Sequence, residues 1–113
     1  MDKIIERGLL FDFYGELLTA HQQKIYSEAV FNDMSLSELS EEEGISRQGI
    51  HDLIKRCDKQ LEQYESALRL IERFQTVKSK VTDIRQLVTE SDGLAGNVKA
   101  DIIGKLNEII EDL

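Results

Sequence analysis

Apolar residues recur along this chain at three- and four-residue spacing, which predicts helices from end to end. The first runs over about Lys3 to Leu17, where Ile4, Ile5, Leu9, Leu10, Phe13, Tyr14 and Leu17 form a broad apolar face that needs covering. Thr19 followed by Gln22 has the spacing of a capping box, so a second helix is expected to about Phe31 on a stripe of Ile25, Tyr26, Ala29 and Val30. Asn32-Asp33-Met34 reads as a turn, and Ser35 with Glu38 repeats the capping-box spacing ahead of a short third helix that stops at Gly44. Ser46 then caps a fourth helix with Ile50, Leu53, Ile54, Cys57, Leu61, Tyr64, Leu68, Ile71 and Phe74 on its apolar side. The same period continues through Val77, Val81, Ile84, Leu87 and Val88, and the tightened spacing at Ile71, Phe74 and Val77 places a break near Gln75 to Lys80. Ser91-Asp92-Gly93 to Gly96-Asn97 is a loop, and Ile102, Ile103, Leu106, Ile109, Ile110 and Leu113 share one face of a last helix.

Residues 36–53 have the offsets of a helix-turn-helix, two short helices crossing at roughly 90–120°. Leu36 and Leu39 are expected to meet Ile50 and Leu53, with Ile45 filling the gap beneath the turn. Ser40 stands where only a small side chain fits, Gly44 opens the turn and Ser46 caps the second helix. Burying Ile50, Leu53, Ile54 and Cys57 leaves Arg47, Gln48, His51, Asp52, Lys55 and Lys59 outward, where a major groove would meet them. Arg47 and Gln48 lie in the first turn, the part of a recognition helix that reaches base edges; Arg suits guanine and Gln suits adenine. Ser46, Lys55 and Lys59 are better placed for phosphates, which position a protein without reading sequence. Gly49 weakens the helix by about 1 kcal/mol relative to alanine, and close approach to nucleic acid would be a reason for it.

Composition narrows the class. The 113 residues contain no proline and no tryptophan, 41% are hydrophobic and 32% charged, which favours one all-α domain of 1–113. Within it, 18–61 forms the helix-turn-helix core and 62–113 a helical extension. A single cysteine, no signal-peptide pattern and no apolar run of about 20 residues point to a cytoplasmic protein outside the membrane. Catalysis finds no support: His21 and His51 are 30 residues apart, Cys57 sits at a packing position, and no glycine loop cradles phosphate, so no enzyme, cofactor, metal or small-molecule substrate is expected.

Charge cuts against the nucleic-acid reading. The net charge is −8, with 2 basic and 4 acidic residues up to residue 20, 5 and 8 in residues 21–60, and 7 and 10 thereafter. Any DNA-facing surface is therefore a narrow stripe. Glu41-Glu42-Glu43 lies on the helix that would cross the phosphate backbone, which predicts weak, salt-sensitive binding.

The segment LTAHQQKIYSEAVFNDMSLSELSEEEGISRQGIHDLIKRCDKQL, residues 18–61, resembles region four of bacterial sigma factors, including Ile45-Ser46, Ile50, Leu53, Arg56-Cys57 and Leu61. Taken with Leu10-Phe11-Asp12-Phe13-Tyr14-Gly15-Glu16-Leu17-Leu18-Thr19 and the helical tail, nearly the whole chain resembles the YlxM-like family of small helix-turn-helix proteins of Gram-positive bacteria. That resemblance implies an all-α fold and a regulatory role connected to the signal recognition particle, whose genes commonly lie beside those of the family. The resemblance to sigma region four implies DNA contact at Arg47, Gln48, His51 and Lys55, and an accessory role toward a particle protein or RNA is the alternative. The long fourth helix and the apolar tail supply more apolar face than a small domain needs, which predicts a homodimer; folding of the tail back onto the long helix is the monomeric alternative.

Overall fold

A computed structural model describes residues 2–113 and shows six α-helices: α1 (Lys3–Tyr14), α2 (Ala20–Val30), α3 (Leu36–Glu43), α4 (Arg47–Leu68), α5 (Leu70–Glu90) and α6 (Gly96–Glu111). None is long and apolar enough to cross a membrane. The chain divides into two compact units, one up to Ile71 and one from Glu72 onward.

The first unit is organised around α4. Against its amino-terminal part, Ile50 packs with Leu39 of α3 and Ile25 of α2, all three fully buried, with Ala29, Met34 and Ile45 around them. Against its carboxy-terminal part, Cys57 and Leu61 pack with Leu10 and Tyr14 of α1, Tyr26 and Val30 of α2, Leu18 and Ile71. Leu53 and Ile54 touch both clusters, so one helix joins them. Burying such side chains contributes roughly 1.5–3 kcal/mol each.

The caps fall where the short-range pattern put them. Thr19 and Ser35 each accept from the amide three residues on, and Gln22 and Glu38 reach back to complete both capping boxes. Gly44 closes α3 at φ 69, and Ser46 Oγ accepts from Gly49 N–H at 3.0 Å to open α4.

Elsewhere the structure corrects the expectations. α1 ends at Tyr14 and the chain tightens into a 3₁₀ turn over Gly15–Leu17, which leaves Leu17 exposed along with Ile4 and Ile5. Leu36 is also exposed and lies outside the cluster that Leu39 and Ile50 form; Met34, in the preceding turn, packs there. The long helix breaks at Arg69, not between Gln75 and Lys80. Arg69 adopts the left-handed conformation at φ 54, a geometry that favours glycine. Its cause is a tertiary cap. The Tyr14 hydroxyl accepts from Leu70 N–H at 3.1 Å while donating to Glu65 Oε1 at 2.5 Å, and that oxygen also accepts from Ile71 N–H at 3.0 Å. Of the two amides satisfied at the start of α5, Leu70 thus finds its partner 56 residues away and Ile71 finds Glu65, whose carboxylate Tyr14 also engages.

In the second unit α6 begins at Gly96, inside the expected loop, with Ala95 preceding it. It returns along α5: the Arg85 guanidinium donates to Asn107, and Lys99 Nζ donates to the Thr89 carbonyl at 3.3 Å. Val81, Val88 and Leu106 are buried, while Ile84, Leu87, Ile109 and Leu113 stay exposed.

Candidate nucleic-acid interface

The amino-terminal part of α4 is presented by α3 and the turn. Ser40 Oγ donates to the Ile45 carbonyl at 2.5 Å, tying the end of α3 to the turn, so its role is a hydrogen bond across the turn as much as small size. Gly49 answers to Ile45 from within the protein: a Cβ there would lie 2.7 Å from Ile45 Cγ2. The turn residue therefore seats its methyl on the helix backbone, which accounts for the glycine without nucleic acid.

Six residues were expected at the interface, and their settings differ. Ser46 is exposed, with its hydroxyl oxygen engaged in the cap. Arg47 is exposed and its Nη1 lies 3.4 Å from Ser37 Oγ, over a shallow depression of about 330 Å³ shared with Ser40 and Glu41. Gln48 Nε2 donates to Asp52 Oδ1 at 2.9 Å, so its amide is held one turn along its own helix. His51 is half-buried, with Nδ1 3.7 Å from the same carboxylate oxygen. Lys55 and Lys59 are exposed on the next two turns. At 100° per residue these positions share one side of α4 with Asp52 among them.

Lys55 and Lys59 do not stand alone. They line one side of a groove of about 590 Å³ whose other side is α1, with Lys3, Glu6 and Arg7. Its floor is an ion pair: Arg7 Nε and Nη2 donate to the two Asp58 oxygens at 3.1 and 2.5 Å, and the Tyr26 hydroxyl donates to Asp58 Oδ1 at 2.6 Å. That hydrogen bond from Arg7 to Asp58 raises the guanidinium pKa further, while burial first and Asp58 second push the Tyr26 phenol up. Gln22 adds a bond from α2 to Gln60 at 3.0 Å. The back of α4 is thus pinned by α1 and α2 together. Sequence reasoning missed Lys3 and Arg7, because only the packing of α1 on α4 brings them beside residues some 50 positions away.

The acidic run is less of an obstacle than its composition suggests. Glu41 and Glu42 are exposed, but Glu43 turns toward α2, where Lys24 Nζ lies 3.0 Å from its carboxylate and 3.5 Å from Glu42. His21 Nε2 stands 3.3 Å from Glu43. The hydrogen bond from Lys24 holds the Glu43 carboxyl below the ordinary carboxylate range. Glu28, Glu42 and Glu43 place three carboxylate oxygens within 4.8 Å of one another, and Lys24 pairs with two of the three residues, Glu42 and Glu43. Cys57 is buried and its thiol is pushed up to about 11, chiefly by that burial, so it packs as an apolar side chain.

Comparison with known proteins agrees with this architecture. A family model described as "Putative helix-turn-helix protein, YlxM / p13 like" matches residues 1–100. The chain is 38% identical over 108 residues to a UPF0122 protein of Shouchella clausii, covering 95% of this chain and 99% of the relative. It is 39% identical over 114 residues to one of Acetivibrio thermocellus, covering 100% and 97%. A UPF0122 protein of Bacillus thuringiensis is 37% identical over 99 residues, covering 88% and 90%.

Proposed function

The chain belongs to the UPF0122 family of YlxM / p13-like helix-turn-helix proteins, and from that premise we propose that it is a cytoplasmic DNA-binding regulator connected to the signal recognition particle pathway. The observation that carries the DNA reading is the outward side of α4, where Arg47, Gln48, His51, Lys55 and Lys59 follow a capped helix start joined to α3 through the Ser40–Ile45 bond. Arg47 and Gln48 are the base-reading pair, Gln48 exchanging its bond to Asp52 for an adenine edge. Ser46, Lys55 and Lys59 take phosphates. The link to the particle pathway rests on the resemblance to YlxM-like proteins alone.

Retardation of genomic fragments at increasing salt tests the reading. Affinity should fall steeply with salt, and Lys55→Ala should lose about 0.9 of the logarithmic slope, the contribution of one phosphate contact. Absence of retardation of any fragment at low salt would sink it.

A second reading makes the protein an accessory factor that binds a particle protein or RNA through its helical scaffold. The net charge of −8 and the engagement of Gln48 by Asp52 favour it with a protein, rather than RNA, as the component bound. Capture of a purified particle component should then survive Arg47→Ala combined with Gln48→Ala. Either role is compatible with a homodimer joined through the extension 62–113, supported by the exposed Ile84, Leu87, Ile109 and Leu113. Sedimentation of the intact chain against one ending at Glu90 checks this, and identical monomeric behaviour rejects it.

A further inference from the structure

We propose that α1 is part of the DNA-binding surface: Lys3 joins Lys55 and Lys59 around the α1–α4 groove, each taking a backbone phosphate of duplex DNA beyond the edge of the major groove. This deepens the DNA reading above and rests on it.

The case starts from length. α4 has 22 residues and so spans about 33 Å at ~1.5 Å per residue, whereas the major groove is only about 12 Å wide. When a helix of this kind reads bases with its first turn, Lys55 lies about 12 Å and Lys59 about 18 Å further along its axis from Arg47. Those two turns are level with the sugar-phosphate backbone, past the base edges. The groove lined by α1 opens beside them.

Charge is arranged to suit that position. Arg7 and Asp58 neutralise each other on the floor, where their side chains are 26% and 20% exposed. Among the described residues Lys3, Lys55 and Lys59 make no ion pair, and Glu6 and Glu62 are the carboxylates facing them, which leaves the groove locally positive in a protein of net charge −8. The Arg7–Asp58–Tyr26 bonds hold α1 on α4, so the Lys3 ammonium is delivered by a docked helix. α3 meets the backbone at the amino-terminal end of α4, and α1 meets it two to three turns further along, beside Lys55 and Lys59. Duplex DNA is held from two sides of the recognition helix.

The test measures binding of the full-length chain to a retarded duplex fragment between about 50 and 200 mM salt, for the wild type, Lys3→Ala, Lys55→Ala and, as a control of equal charge change on α6, Lys105→Ala. Losing one phosphate contact removes about 0.9 of slope, so the affinity ratio of wild type to Lys3→Ala should change about 3.5-fold across that range. Lys105→Ala should leave the slope unchanged. If Lys55→Ala loses slope and Lys3→Ala does not, the role of α1 is overturned while the DNA reading stands; equal losses in Lys3→Ala and Lys105→Ala overturn it as a general charge effect. If the wild type retards no duplex, both fall.

Discussion

Removing one hydroxyl at Tyr14 should loosen the join between α4 and α5 without disturbing the core. Tyr14→Phe keeps the ring, 1% exposed and 6.0 Å centroid to centroid from Tyr64, so packing is conserved. Two hydrogen bonds vanish: the 2.5 Å bond donated to Glu65 and the 3.1 Å bond accepted from Leu70 N–H. A bond to a charged group is worth about 1.5–3 kcal/mol and a neutral one about 0.5–1.5 kcal/mol. Glu65 keeps Ile71 N–H at 3.0 Å, and Leu70 is exposed enough for water to replace part of the loss, which argues for the lower half of the sum, about 2–3 kcal/mol. With a urea slope of about 1.5 kcal/mol/M for a domain of this size, the unfolding midpoint should fall by roughly 1.3–2 M. Native-state hydrogen exchange adds the local signature: the Leu70 amide should lose protection before the Ile50 amide does. A midpoint shift below about 0.3 M (about 0.5 kcal/mol at that slope) with unchanged protection at Leu70 would refute the idea that this hydroxyl holds the break.

Gly44→Ala meets no neighbour within 4 Å, so its cost is that of alanine at φ 69, about 1–2 kcal/mol, read as a lower midpoint in urea. Gly49→Ala should cost a similar or larger amount, about 1–3 kcal/mol, for a different reason, since the added carbon lands 2.7 Å from the Ile45 methyl and the turn must shift. For pH, the Glu43 carboxyl is lowered by its hydrogen bond from Lys24, so its stabilising contribution is complete above the ordinary value of 4.5 and is lost as pH falls through the depressed value. Carboxyl carbon NMR should show Glu43 titrating below the ordinary value of 4.5, and Lys24→Ala should raise it; an unmoved titration would count against the pair.

What could be read from the sequence were features whose partners lie within a few residues. Both capping boxes, the Gly44 stop and the Ser46 cap depend on contacts three to five positions away, and each has its expected geometry. The apolar period also identified Leu39, Ile50, Cys57 and Leu61 as core. It failed at Leu36, because an apolar residue in the first turn of a short helix can point past the end of its partner while a loop residue, Met34, fills the gap. The break at Arg69 was illegible for a stronger reason: the groups that stabilise it include a phenol 55 positions earlier, and nothing in the surrounding residues marks the stop. The interface divides the same way. Arg47, Gln48, His51, Lys55 and Lys59 follow from the helical period of α4 alone, while the company of Lys3 and Arg7, and the turning of Glu43 toward Lys24, exist only once α1 and α2 have docked.

The bonds that dock α1 span 51 residues from Arg7 to Asp58 and from Tyr14 to Glu65, and 56 from Tyr14 to Leu70. A ribosome adding about 5–20 residues per second needs roughly 3–11 s to cover 56 residues. For that interval the first helix has been made and its destination has not. The apolar side of α1 waits without α4 while the capped segments of α2 and α3 can already form turns of their own, so the first helix synthesised is fully housed only after the fourth has been made. A nascent chain stalled before residue 58 should therefore present that surface to whatever meets polypeptide at the tunnel exit, a vulnerability, or an opportunity, confined to the seconds of its own synthesis.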